Sequence, residues 1–363
     1  MMPLKMQMFA AALLCLSAVA SAQAQASRTP PSWDKWTVGC SNAGVCYAST
    51  FVRGQSTWVD VRIVRDWQAD AEPLLRITTN TALSDEGSIS LVADNISQDT
   101  LPVSQLREIQ AAIVAPAGFR PIGGEGFWYP TGPATRTLLE SIRSASELVI
   151  ALPADPELVK ITVPLKGLHQ ALTWVDNRQR RNGTVSAIAA PGSEPSKDAP
   201  HANPLVSPES LPATVTTAWD ANRFCSDIDP AIFASLDAIS APLGDTSALY
   251  LLPCGAPSAY NTPYVAVVAP AEGKARQIHL ARMSEKGPVA VDLIYNAKWN
   301  PGRHELEGYF KGSGLGECGT WNRWLWTGSA FVLMEESTRQ TCDGTEAPLD
   351  EWPTTWPLPA SNH

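Results

Sequence analysis

The sequence predicts a mainly β protein, α+β in its first half, built as two β-rich domains joined by a proline-rich linker. Each domain is expected to be an antiparallel sandwich or a partly open barrel. Three observations lead there. Short apolar runs alternate with polar residues and are separated by Gly, Pro and Asn, as half-buried strands are. An even set of cysteines follows an N-terminal export signal. From Ala190 to Thr214, prolines recur at 191, 195, 200, 204, 208 and 212, and such a stretch stays extended rather than building a core. The expected division is 1–26 leader, 27–189 N-terminal domain with short helices, 190–214 linker and 215–363 C-terminal antiparallel β domain.

The leader has a positive start at Lys5, an apolar run from Met6 to Ala20 and small residues after it. That is the pattern of a cleaved secretion signal. Cleavage is expected after Ala26, with Ala22 as the alternative. The run is too short to span a bilayer, which takes roughly 20 apolar residues. Leu13 and Leu14 precede Cys15, where a lipoprotein signal has small residues. No other apolar stretch reaches spanning length, so no transmembrane segment is expected.

Of seven cysteines, loss of Cys15 leaves six: Cys40, Cys46, Cys225, Cys254, Cys318 and Cys342. An even number in an exported chain reads as a disulfide framework. Six cysteines allow about 15 pairings, and nearest-neighbour order is the simplest: 40 with 46, 225 with 254, 318 with 342. On the chain-entropy model such loops contribute up to roughly 2.4, 3.6 and 3.5 kcal/mol. There is no C-x-x-C, and no His lies at zinc spacing from a Cys, so no metal is expected.

In the first half, Trp36 to Cys40, Cys46 to Arg53, Ser56 to Arg65, Leu74 to Asn80 and Ser88 to Ala93 read as strands. Val103 to Ala115 and Ala134 to Ala145 carry apolar residues at helical spacing. Leu148 to Leu152 and Val159 to Val163 return to strand. Pro164 to Val175 reads as a helix with Pro near its first position. In the second half, Asp229 is the expected N-cap of a short helix from Pro230 to Leu236. Strands are expected at Ala248–Leu252, Tyr264–Val268, Gln277–Arg282, Val289–Tyr295, Glu305–Lys311, Arg323–Trp326 and Phe331–Glu335.

Four segments carry a resemblance: WTVGCSNAGVCYA, LTWVDNRQRRNGT, YLLPCGAPSAYN and KGSGLGECGTWNRWLWTGSAFVLM. In this order they are similar to the bacterial domain-of-unknown-function family numbered 1176, from Trp33 to Trp356. The family commonly has Arg and Asp where Ser313 and Glu317 stand here, so a fixed cation at 313 is not implied. The resemblance implies a secreted or periplasmic protein of Gram-negative bacteria and no set activity. WTVGC with VKITVPLKGLHQAL also resembles the invasion-associated locus B family over the first domain alone.

Chemical motifs are few. Gly314, Gly316 and Gly319 satisfy G-x-G-x-x-G, but the following TWNRWLW alternates like a strand, so the run suits a turn rather than a nucleotide. His304-Glu305 lacks the second histidine of a zincin, since position 308 is Gly. No G-x-S-x-G is present. The net charge of −9 becomes −10 when Lys5 leaves, which argues against nucleic acid. No cofactor is expected.

The candidate binding residues are Tyr309, Glu317, Trp321, Arg323, Trp324 and Trp326. Trp suits stacking on a sugar or docking a partner, and it equally suits core filling. Alternation puts Trp324 and Trp326 on one strand face and Arg323 and Leu325 on the other. Arg178, Arg180 and Arg181 read as a solvated helix end. The leading expectation is a non-catalytic envelope protein that binds a glycan or another envelope protein. The alternative is a periplasmic hydrolase of glycan or cell wall, using two of Glu317, Glu335, Glu336 and Asp343. A host-interaction factor is the third.

Overall fold

The computed structural model describes residues 28–357 apart from 117, 120, 121, 156, 222 and 223. The expected leader, its cleavage site and Cys15 lie outside the described residues. The protein is mostly β, with several antiparallel sheets and few helices, and among the described residues no sheet closes into a barrel.

The first half runs β1 (Ser32–Trp33), β2 (Trp36–Cys40), β3 (Cys46–Arg53), β4 (Trp58–Arg65), β5 (Leu74–Thr79), β6 (Ser88–Ala93), β7 (Ile96–Pro102), α1 (Val103–Ala112), β8 (Glu125–Trp128), α2 (Pro133–Ile142), β9 (Glu147–Pro153), β10 (Leu158–Pro164) and α3 (Leu168–Arg178). One sheet has the order β1-β2-β3-β4-β5-β8 and a second the order β10-β9-β6-β7. They share a core. Val61, Ile63 and Ile77 of the first meet Ile89, Leu91 and Ile150 of the second, with Leu138, Leu139, Leu168 and Leu172 of the helices.

Pro164 does not open a helix. It ends β10 opposite Glu147, and α3 begins four residues later, after Gly167. That glycine has φ +92°, and a side chain there would meet the Trp33 carbonyl oxygen at 2.2 Å. Only glycine fits the turn that drops α3 onto β1 and β2.

The second half runs β11 (Asn203–Pro204), α4 (Ala213–Trp219), α5 (Pro230–Ser235), β12 (Ile239–Pro242), β13 (Ser247–Pro253), β14 (Pro263–Pro270), β15 (Arg276–Gln277), β16 (Leu280–Ser284), β17 (Gly287–Val291), β18 (Ile294–Tyr295), β19 (Lys298–Asn300), β20 (Glu305–Lys311), β21 (Gly319–Trp326), β22 (Phe331–Arg339) and β23 (Thr354–Trp356). Asp229 caps α5 as expected, its carboxylate accepting from the Ala231 and Ile232 amides. Residues 277–282 and 289–295 each split in two. Their inner parts leave the central sheet to form the β16–β17 hairpin, which turns at Gly287 with φ +111°.

The central sheet β11–β15 is covered on both sides. Leu249, Leu251, Ala266 and Val268 pack against Leu306, Trp324 and Leu333 of the β19–β23 meander. Leu252, Val265 and Val267 pack against Trp219 and Phe233 of α4 and α5. A strand buried on both faces loses its alternation, which explains the unbroken apolar run of β14.

The three disulfides pair Cys40 with Cys46, Cys225 with Cys254 and Cys318 with Cys342. The first closes more than a local hairpin. Its turn carries Ala43 into the core of the second half. Beside it, fully buried Asn42 bonds across the junction. Its amide nitrogen donates to the Asp237 carbonyl at 2.9 Å and the Ala297 carbonyl at 3.3 Å, and its oxygen accepts from the Trp299 amide at 2.8 Å.

The proline-rich stretch is mostly irregular, yet it is tied down. Ala199 donates to the Trp67 carbonyl, Ala202 to Ala43 and Leu205 to Ala238. The His201 ring stacks on Trp67 with centroids 3.7 Å apart.

Candidate functional site

The meander β19–β23 divides the sequence-derived candidates between its two faces. Cross-strand partners are Tyr309 with Trp321, Glu307 with Arg323, and Arg323 with Glu335, so these five share one face. Trp324 and Trp326 are on the other face, inside the core, at 1% and 9% exposure. The Trp324 indole donates to the Ala281 carbonyl at 2.8 Å. These two rings fill space between sheets.

Trp321 is also buried, at 3% exposure, beneath the Arg28 guanidinium, which sits 5.7 Å from its ring centre. Arg28 bonds Glu335 through Nε and Nη2 at 2.8 and 2.5 Å. Arg323 lies between Glu305 at 2.8 Å and Glu335 at 3.3 Å. The Tyr309 hydroxyl donates to the Gly316 carbonyl, and its ring meets Trp352 edge-on. Glu317 accepts from the Ser313 hydroxyl, and this hydrogen bond holds its carboxyl below the usual range. The glycine run leads through Gly319 into strand β21, beside the Cys318–Cys342 bridge.

The four carboxylates weighed for hydrolysis do not meet in one cleft. Glu335 is held by Arg28 and Arg323. Glu336, one residue on and therefore facing the other way, accepts from Asn322 at 2.6 Å and the Met283 amide at 3.0 Å. Asp343 pairs with Arg339 at 3.2 Å.

A cleft opens where the halves join. One lobe, of about 450 Å³, is lined among others by Trp174, Arg178, Lys298, Arg303 and Glu307. A second, of about 330 Å³, shares Cys40, Ser41, Trp174, Arg178, Asn300 and Arg303 with it. Together they lie in the size range of small-molecule sites. The end of α3 and the Cys40–Cys46 hairpin form one wall, and β19 and β20 form the other.

Arg178 and Glu307 come from opposite halves. Both are half-buried, and among the described residues neither side chain makes a hydrogen bond or close ion pair. Burial pushes the Glu307 carboxyl up, with help from Glu305, against the pull of Arg323, Arg178 and Lys298. Burial likewise pulls the Arg178 guanidinium down, against the attraction of Glu307. Glu305 has no such freedom, since its oxygens pair with Arg303 at 3.0 Å and Arg323 at 2.8 Å.

Sequence reasoning missed this cleft. Its one local signal is in α3, where Trp174 and Arg178 stand four apart on one helix face. The basic run after it is not uniformly solvated. Arg181 is fully buried and donates to the carbonyls of Asp66, Trp67, Gln68 and Ala69. A planar fork with five donors can collect the orphan carbonyls of a tight loop, which a solvent-facing reading overlooks.

A family model described as "Protein of unknown function (DUF1176)" matches residues 31–359. The chain is similar to "Uncharacterized protein YpfG" of Escherichia coli (strain K12), 26% identical over 369 residues, 96% of this chain and 97% of that protein. The invasion-associated locus B likeness gains no support from these comparisons. No solved structure matches. Among the described residues no helix is long and apolar enough to cross a membrane.

Proposed function

The chain belongs to the family described as "Protein of unknown function (DUF1176)", and from that premise we propose that it is an exported binding protein of the bacterial envelope that holds a small polar ligand between its halves. The leader pattern and three disulfides support export to an oxidising compartment. The observation that carries binding is the Arg178–Glu307 pair. Two opposite charges, partly stripped of water, face one cleft without bonding each other. Their hydrogen-bonding capacity is left for a third molecule, and charge-assisted bonds are the stronger kind.

The same geometry favours holding over cleaving. Glycoside hydrolysis uses two carboxyl groups flanking the bond. Here Glu307 lines the cleft, while its same-face neighbour Glu305 is engaged by two arginines.

The test is a thermal-shift screen of small polar metabolites on oxidised protein. A ligand of the folded state raises Tm by mass action. Stabilising compounds should lose their effect in Arg178→Ala and Trp174→Ala. Compounds that stabilise wild type and both variants equally would place the site elsewhere and end this reading.

A further inference from the structure

We propose that the cleft takes a carboxylate-bearing sugar, a hydroxylated ring with one acid group; this rests on the binding reading above. The argument starts from charge. The chain carries a formal net charge of −9, yet the cleft is lined by Arg178, Lys298 and Arg303 against Glu307 alone among carboxylates. Of the cations along this lobe, Arg28 is bonded to Glu335, Arg303 pairs with Glu305 at 3.0 Å and Lys298 lies 3.8 Å from Asp237, which leaves Arg178 without a close carboxylate. An unpaired guanidinium in a negative protein selects an anion.

Arg178 identifies the anionic group. Its guanidinium is unbonded, and a planar fork matches a carboxylate through two parallel hydrogen bonds. Glu307 identifies what else the ligand carries. It is an acceptor without a donor, so the ligand must donate to it. An ammonium group would sit beside Arg178 and Lys298, both close enough to act on Glu307, while the neighbouring Glu305 is already balanced by Arg303 and Arg323. Like charges at that range repel, more so where water is partly excluded. Uncharged hydroxyls donate without that cost. Trp174, half-buried and shared by both lobes, supplies apolar surface for the C–H face of a ring. The acid, the hydroxyls and the ring describe a uronic or other sugar acid.

The source can be a free monosaccharide or the end of an acidic polysaccharide. Calorimetric titration of the full oxidised chain with D-galacturonate and with digalacturonate separates them. D-galactose and L-glutamate are the controls. Either galacturonate form should bind, with galactose roughly tenfold weaker or worse, because a charged hydrogen bond is lost. Tighter binding of the dimer would indicate a polymer end, and equal binding a free sugar; both support the proposal. Arg178→Ala should weaken binding at least roughly tenfold. Arg178→Lys, which keeps the charge and loses the fork, should weaken it less. Glu307→Gln, which still accepts from a hydroxyl, should change it only a few fold.

Glutamate binding that depends on Arg178, with neither galacturonate form binding, would overturn the sugar-acid proposal and leave the cleft reading intact. So would galactose binding as tightly as galacturonate. Galacturonate binding unaffected by either Arg178 variant would overturn both. No heat from either form at millimolar concentration, with wild type folded, would overturn the sugar-acid proposal alone, since the screen judges the cleft separately.

Discussion

Replacing Asn42 should uncouple the two halves. Its side chain makes three hydrogen bonds across the junction, to the Asp237 carbonyl, the Ala297 carbonyl and the Trp299 amide. Asn42 itself has 0% exposure, and its bonds to Ala297 and Trp299 are shut from solvent. At about 1 kcal/mol each, Asn42→Ala should cost about 3 kcal/mol. Asn42→Asp keeps the shape and the acceptor but loses both donors. It also sets a carboxylate against the Asp237 carboxylate, which already accepts from the Asn42 backbone amide at 2.7 Å, so it should cost at least as much. Urea unfolding followed by tryptophan fluorescence and far-UV circular dichroism reads the loss. With m about 3 kcal/mol/M, the midpoint should fall by roughly 1 M. The two probes should also separate, because halves joined less tightly no longer unfold together. A loss below about 1 kcal/mol with coincident transitions would refute the reasoning, since a buried side chain with three bonds cannot be removed so cheaply.

Other outcomes follow from the same geometry. Trp324→Ala should destabilise by about 3–5 kcal/mol in urea unfolding, the usual cost of emptying a buried ring site; a stable, well-folded variant would contradict its place between the sheets. Glu307→Gln should be more stable than wild type at neutral pH. The folded carboxyl titrates above 4.5, so the folded state holds its proton more tightly than the unfolded chain. The cost of the buried charge is therefore present above the folded pKa and fades as pH falls to 4.5, where the two proteins should converge; a constant difference across pH would refute it. Replacing Cys225 and Cys254 together by Ser should cost up to roughly 3.6 kcal/mol. Thiol titration of denatured, unreduced mature protein should find none of the six cysteines free.

The short-range part of this fold was legible. Apolar–polar alternation located β4, because successive side chains of a strand point to opposite faces. Helical spacing located α2, and Asp229 marked the start of α5, because an N-cap bonds only two or three residues away. Even the disulfides joined neighbours in sequence order. Short, polar or glycine-containing strands such as β7, β8 and β19 escaped, since their pairing comes from partners elsewhere. Nothing local distinguishes Trp324 in the core from a Trp on a platform, for both need the same alternation. Likewise Asn42 looks like any turn residue until Ala297 and Trp299 meet it, and Arg178 looks like any helix-end cation until β20 is laid opposite. By itself, then, the sequence determined which residues face together within an element. The tertiary structure decided which faces meet, because burial and unpartnered charge depend on contacts between residues more than a hundred positions apart.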